Sequence, residues 1–487
     1  MNDVPLVFFS IDRDSHRGLQ KQIQIKVVEG IHTGKLAADS KMPSTRSLAN
    51  FLDISRITVS LAYAELAAAG HLVSKDRSGY YVAAQPANIA LGINGDAQVA
   101  QFEPRFTQQY SALKNKLNRP ANWRKYPYCF IYGQADHSMI DHHRWRQCSL
   151  EALGRRDFDV LTLDTYESDD PLLLQELMRI NLPQRGIQAS EDQILITMGA
   201  LNALWLCAQL FLGPDDTAVI ENPCYPTLRN MLTSHQCKVT AVDVDEQGLP
   251  LEHIPDNTSV VFATPSHHCP TNISMPAARR KALIEKAKRD RFIIVEDDYE
   301  IENQLRNAPK PALKALDSDG HVVYVGSFSK SLFPGLRMGY MVASPTIIAQ
   351  ARALRSVVLR NPPNHTQRTV AYFQSLGFYD RQLRRMARAN RERHEIMRRA
   401  IEAHGLEFAS SPELGGSSFW MKTHPHIDTK ILTAKLAEMG VLIDAGAPFF
   451  APGSQAQNYY RLAYSSIKPE KIDHGISLIR KAIDELA

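Results

Sequence analysis

Apolar residues recur every fourth position at Leu19, Ile23, Val27 and Ile31, a single stripe along a helix. Pro43 stands just ahead of Ser44, which is positioned to cap a second helix carrying Leu48, Phe51 and Leu52. The stretch "LDIS" makes a tight turn, and Ser55 caps a third helix with Val59, Tyr63 and Leu66 on its inner face. Gly70 ends that helix as a C′ residue would. "HLVSKDRSGYYV" then alternates apolar and polar positions around Lys75–Gly79, which predicts a hairpin. Three short helices and a hairpin predict a winged helix over residues 1–82. From residue 126 onward the pattern changes. Continuous β-branched runs ("QILIT", "TAVIE", "SVVFATP", "RFIIVEDD", "HVVYVGS") alternate with amphipathic helical stretches. That pattern predicts an α/β unit, a mostly parallel sheet with helices on both faces.

Between the two lies a linker, residues 83–125, Ala-, Gly- and Asn-rich at first and then basic, with six Lys/Arg against two Asp/Glu. It reads as a solvated tether, with auxiliary phosphate contact as the alternative. A smaller α+β subdomain is expected over about 380–487. It would be entered through "DRQLRRMARANRERHEIMRR" (380–399), where eight Arg face three acids and a solvated connector is expected.

Composition narrows the picture. At 487 residues the chain exceeds one ordinary core, in line with several domains. The net charge is only +4, so nucleic-acid binding has to come from a local patch. No apolar run approaches the roughly 20 residues that span a bilayer. The N-terminus lacks the basic segment of a secretion signal, so a cytoplasmic protein is expected. Six scattered cysteines without a CxxC pair read as reduced thiols. The adjacent pairs His142–His143 and His267–His268 are poor chelators, so no metal is expected.

Two sets of residues carry candidate chemistry. Ser55, Arg56, Thr58 and Ser60 lie at the N-terminal end of the third helix, the end a recognition helix turns into the major groove of double-stranded DNA. Arg56 reaches guanine or phosphate, and Ser44, Ser55 and Thr58 donate to phosphate. Arg46 belongs at the DNA backbone nearby and Arg77 on the wing. A purely structural helical domain would not need this polar end.

In the second half, Asp297 follows "FIIVE" and Lys330 follows "VVYVGSFS", so both fall at the carboxyl ends of strands, where open α/β sheets bind ligands. A desolvated lysine attacks aldehydes. Arg337, Ser327 and Ser329 suit a phosphate dianion, and the amides of Gly199 and Ala200 open a helix as an anion seat. Asp297 suits a protonated ring nitrogen, Tyr299 a ring oxygen and Tyr225 a ring face. Together they specify a pyridoxal 5′-phosphate site.

The stretch "PSTRSLANFLDISRITVSLAYAELAAAG" resembles the GntR family of bacterial regulators. Residues 126–487 resemble fold-type I aminotransferases. By that resemblance Lys330 forms the internal aldimine, Asp297 pairs with the pyridine nitrogen and Tyr299 contacts the ring oxygen. Tyr225 stacks, Ser327, Ser329 and Arg337 hold the phosphate, and Arg461 of "YYRLAY" binds a carboxylate. The order of the two halves is that of the MocR/GabR-type regulators, which implies a head-to-tail homodimer. It also implies operator binding governed by an amino-compound effector that forms an external aldimine. The rival is a working aminotransferase carrying a DNA-binding module. Departures bear on that rival. "SHHCPTN" has Cys269 for the usual asparagine and Asn272 for the glycine, and Leu201 stands for the usual glutamine of the phosphate loop.

Overall fold

The computed structural model describes residues 3–84, 105–300 and 310–487, apart from 14, 16, 77, 107, 109, 113–116, 118, 135, 413–415 and 455. The chain divides into two compact units, Met1–Arg105 and Phe106–Ala487.

The first unit holds α1 (Leu19–His32), α2 (Thr45–Leu52), α3 (Arg56–Ala68) and an antiparallel hairpin of β1 (Leu72–Lys75) and β2 (Gly79–Val82). Ser44 and Ser55 are the N-caps of α2 and α3: the Ser44 hydroxyl accepts from the Ser47 N–H at 3.0 Å, and that of Ser55 from the Ile57 N–H at 3.2 Å. Gly70 takes φ +76°, the left-handed turn that lets the chain leave α3 for β1. Ile23, Val27, Leu48, Val59, Tyr63, Leu66 and Val82 close one core. Of the apolar residues on α2, Leu48 and Leu52 are buried and Phe51 is 46% exposed. One position from Leu52, it points some 100° away from the buried Leu48/Leu52 stripe. Arg77 lies outside the described residues.

The first strand of the second unit is β3 (Tyr128–Cys129). It is built on a seven-stranded sheet in the order β4-β10-β9-β8-β7-β5-β6. The strands are β4 (Ile194–Thr197), β5 (Thr217–Asn222), β6 (Lys238–Asp243), β7 (Thr258–Ala263), β8 (Ile293–Asp298), β9 (Val322–Ser327) and β10 (Gly339–Val342). The β6-β5-β7-β8-β9 run is parallel, and β10 lies antiparallel to both β9 and β4.

Both faces are buried, which explains the unbroken apolar runs. Val295, Val323 and Val325 pack with Leu204 and Cys207 of the helix Ala200–Phe211, while Ile294 and Val322 pack with Phe292 and Leu283 on the other side. This alternation sends Asp297 and Ser327 to the Ala200–Phe211 side and Asp298 to the opposite one. There Asp298 accepts from Arg185 Nε at 2.6 Å and Tyr324 Oη at 2.9 Å.

A smaller sheet of β11 (Glu407–Phe408), β12 (Ser418–Lys422), β14 (Asp444–Ala445) and β15 (Tyr459–Ala463) follows, and β13 (Val441–Leu442) pairs with β3. The Arg-rich stretch belongs to the helix Phe378–Ala403. It is solvated on one side only: Gln382, Asn390, Arg393 and Met397 are buried, and Arg393 donates to the Ser465 carbonyl and to Asp136. The end of the expected tether is part of this unit, with Trp123 against Cys129, Ile131 and Leu442. No helix among the described residues is long and apolar enough to cross a membrane.

Candidate cofactor and effector site

A cavity of about 1000 Å³ opens over the carboxyl ends of the strands and is lined by Tyr225, Ala200, Asp297, Tyr299, Ser327, Ser329, Lys330, Arg337 and Arg461. Gly199 caps the helix that Ala200 opens, at φ +82° and ψ 169°. A Cβ there would stand 3.1 Å from Arg337 Nη2, so Arg337 lies directly over this helix start. Ser327 Oγ accepts from the Ser329 N–H at 3.1 Å, and Arg337 donates to the Met198 carbonyl at 3.2 Å. Helix N–H groups, two hydroxyls and a guanidinium thus line one end of the cavity, an arrangement that suits a phosphate dianion.

At the other end, Asp297 Oδ1 is fully enclosed and has no hydrogen-bond partner among the described residues. Burial, then the negative fields of Asp298 and Glu221, push its carboxyl up to about 7. An enclosed carboxylate oxygen without a donor fits a cationic ring N–H, so the residues present fit pyridoxal phosphate.

Lys330 extends past Gly133 and Tyr132. Its Nζ lies 3.8 Å from the centre of the Tyr132 ring and would stand 3.0 Å from a Cβ on Gly133 (φ +78°), so the glycine makes room for it. Burial draws the lysine down to about 8. Glu300 resists that shift, while Arg461 and Arg119 add to it.

Glu300 is itself held by the Tyr132 hydroxyl at 2.9 Å and by Ser417, with His267 Nε2 at 3.4 Å. Burial alone would raise Glu300, but His267, Lys330 and Ser417 outweigh it and hold the carboxyl down to about 2. Arg461 stacks on Tyr132 at 4.0 Å and on Phe449 at 4.6 Å, and it is paired with Asp444 at 2.9 Å.

The departures noted in the sequence also find their places. Cys269 lines the cavity, and burial pushes its thiol up to about 11, so a neutral thiol stands where an amide would be. His268 turns away: its Nδ1 is 2.6 Å from Thr271 Oγ1 and its Nε2 3.6 Å from Glu221. Burial, aided by His267, lowers it to about 3, which makes it a neutral packing residue. Leu201 lines the cavity wall.

Sequence reading missed Tyr132, Gly133, Glu300, Arg119 and Asp444. "YGQAD" (132–136) was the one local signal, a glycine opening a polar stretch after an apolar run.

In the first unit, Arg46 and Arg56 are exposed, and Thr58 and Ser60 are half-buried on α3. Arg56 Nε reaches Thr45 Oγ1 at 3.4 Å, which brings the starts of α2 and α3 together at one polar edge. Ile57 beside it is 70% exposed.

A winged helix ahead of a fold-type I aminotransferase body defines a class of transcription regulator. Residues 19–82 match the gntR family of bacterial regulatory proteins, and residues 169–479 match aminotransferase class I and II. The chain is 46% identical over 482 residues, 99% of both proteins, to the HTH-type transcriptional regulator TauR of Rhodobacter capsulatus. It is 28% identical over 477 residues to the probable rhizopine catabolism regulatory protein MocR of Rhizobium meliloti, covering 97% of this chain and 95% of that one. The body superposes on the kynurenine aminotransferase of Pyrococcus horikoshii with a TM-score of 0.69 at 25% identity, over 78% of this chain and 97% of that one. The chain belongs to the MocR-type regulators of the GntR family, transcription regulators with a DNA-binding head and an aminotransferase-like body. Its aminotransferase fold implies pyridoxal phosphate as the cofactor.

Proposed function

We propose that the body senses a small amino compound and passes its presence to the DNA-binding head. The observation that carries this reading is the pairing in one cavity of the enclosed Asp297 Oδ1, without a donor among the described residues, with a lysine whose ammonium is lowered to about 8. Bound pyridoxal phosphate supplies an aldehyde carbon that accepts one amine in exchange for another.

In this reading Gly199, Ala200, Ser327, Ser329 and Arg337 bind the phosphate. Asp297 holds the ring-nitrogen proton, Tyr299 donates to the ring oxygen and Tyr225 covers the ring face. Lys330 is the resident amine, and Arg461 receives the acid group of the effector. Ser44, Arg46, Ser55, Arg56, Thr58, Ser60 and Arg77 face operator DNA. Release of Lys330 changes its contacts with Tyr132, with Glu300 and, through Glu300, with Ser417 of the smaller subdomain. Only such differential contacts shift a conformational equilibrium.

Pairing of the body with a second copy is part of this reading, as the resemblance to MocR-type regulators implies. The test is a titration of the holo-protein with amines, followed by cofactor absorbance, beside the Lys330→Ala variant. Wild type exchanges amines, and a wild type blind to every amine refutes the reading. The intact Lys330, Asp297 and Arg337 support a second reading, an active aminotransferase. Sustained turnover of an amino donor with a 2-oxo acid would favour it.

A further inference from the structure

Asp444 and Arg461 face each other across the β14·β15 pair, and the wall they form contains a second arginine. Arg119 donates to Asp444 through Nε and Nη2, both at 3.2 Å. Arg461 donates to the same carboxylate through Nε at 3.3 Å and Nη2 at 2.9 Å, and the Tyr132 N–H adds a bond at 3.1 Å. One carboxylate thus carries five donors from three segments. Burial would raise Asp444, but Arg461 and Arg119 outweigh it and hold it ionised.

Asp444 offers one negative charge to two cations near Lys330, whose ammonium both arginines disfavour; Glu300, the other anion near that lysine, is taken up by the Tyr132 and Ser417 hydroxyls and by His267. The bridge uses the Nε and Nη2 edge of each guanidinium, and neither Nη1 takes part in it. Asp444 and Arg461 are each 3% exposed, while the Arg119 side chain is 24% exposed at the cavity.

We infer that Arg119 is a specificity-determining residue. Held beside Arg461 by Asp444, it forms the second half of a seat for the acid group of the effector, which is therefore an amino acid or amino sulfonate and not a plain amine. The inference rests on the sensor reading above. A planar guanidinium in a partly dry wall matches a carboxylate or sulfonate edge, and an uncompensated cation there favours an anion over a neutral alkyl end. Asp444 serves as the positioning residue: it fixes the spacing of the two forks before any ligand arrives, which lowers the ordering cost of binding.

The test uses the full-length holo-protein. β-Alanine is compared with ethylamine, γ-aminobutyrate with propylamine, 5-aminovalerate with butylamine and 2-aminoethanesulfonate with ethylamine, with cofactor absorbance as the readout. Wild type is expected to prefer the acid-bearing member of at least one pair. Arg119→Gln loses about ten- to hundredfold in affinity for that acid, as expected for one charge-assisted bidentate contact, and keeps its affinity for the matching amine. Arg119→Lys, with the charge but not the fork, falls between the two. A variant that folds, carries the same resting cofactor spectrum and retains the full acid preference overturns the inference while leaving the sensor reading intact. A wild type that answers plain amines as well as amino acids also overturns the inference alone. A wild type that answers no amine at all overturns the sensor reading, and this inference with it.

Discussion

Replacing Asp297 by asparagine isolates the group on which the cofactor assignment leans most. In the cofactor-free protein Asp297 Oδ1 is enclosed without a donor among the described residues, and its carboxyl is pushed up to about 7 from an ordinary 3.8. The folded-state value therefore lies above the unfolded one, so the fold favours the protonated form. That contribution is complete below the unfolded value and is lost as pH rises through about 7. Integrated between pH 5 and pH 8, the loss is at most about 2.6 kcal/mol, with one pKa unit worth about 1.4 kcal/mol. Asparagine has the same shape and no charge to bury, so the variant escapes this loss. The assay is thermal unfolding of cofactor-free wild type and Asp297→Asn from pH 5 to pH 8. The difference between the two curves cancels the other buried carboxyls, Glu221 and Glu296, which burial also pushes up to about 7. The variant should gain on wild type by a few degrees as pH rises, since about 1–2 °C per kcal/mol is expected for a body of this size. Added pyridoxal phosphate should narrow the gap by giving the wild-type carboxylate its cationic partner. Parallel curves in the cofactor-free proteins would refute the reasoning, because Asp297 would then not be the uncompensated group described here.

Lys330, lowered to about 8, is neutral in roughly one molecule in ten at pH 7, about 300-fold more often than an ordinary lysine. Uptake of pyridoxal phosphate by the cofactor-free protein should accelerate as pH rises and level off above about 8; stopped-flow absorbance measures it, and a rate still climbing at pH 10 would contradict the shift. Gly199→Ala places a side chain in a backbone region that is essentially glycine-only, at about 1–3 kcal/mol, and pushes toward Arg337. Cofactor affinity measured by fluorescence quenching should fall about tenfold or more. Ser55→Ala removes the α3 cap, at about 1 kcal/mol, and with it a hydroxyl on the DNA side. Unfolding of the head should move to lower denaturant, and operator binding should weaken.

Much of the site was legible because its residues sit beside strand ends that can be read from the chain. "FIIVE" and "VVYVGS" are runs buried on both faces, and the polar residues at or just past their ends, Asp297, Ser327 and Lys330, emerge at one edge of the sheet. The stripe and caps of the head were legible for a similar reason, since period and cap are local properties. Which of the apolar residues on α2 are buried was not legible, because a helix of eight residues buries only a narrow stripe and Phe51 falls outside it. Tyr132, Glu300, Arg119 and Asp444 form the surroundings of Lys330 through closure of distant segments. Arg119 and Asp444 meet across 325 positions of sequence, and no spacing rule reports such a pair. Glu300 next to Tyr299 looks like an ordinary surface acid until Tyr132 and Ser417 arrive to bury it. The basic stretch at 380–399 showed its charge but not its inner face, which Arg393 joins by donating to a backbone carbonyl.

The most direct test of the account measures operator affinity of the holo-protein with and without a saturating amine, in wild type and in Lys330→Ala. The amine is expected to change operator affinity of the wild type, and operator to change amine affinity by the same factor, as linkage requires. No such change is expected in the variant. An equal response of both proteins to the amine would contradict it.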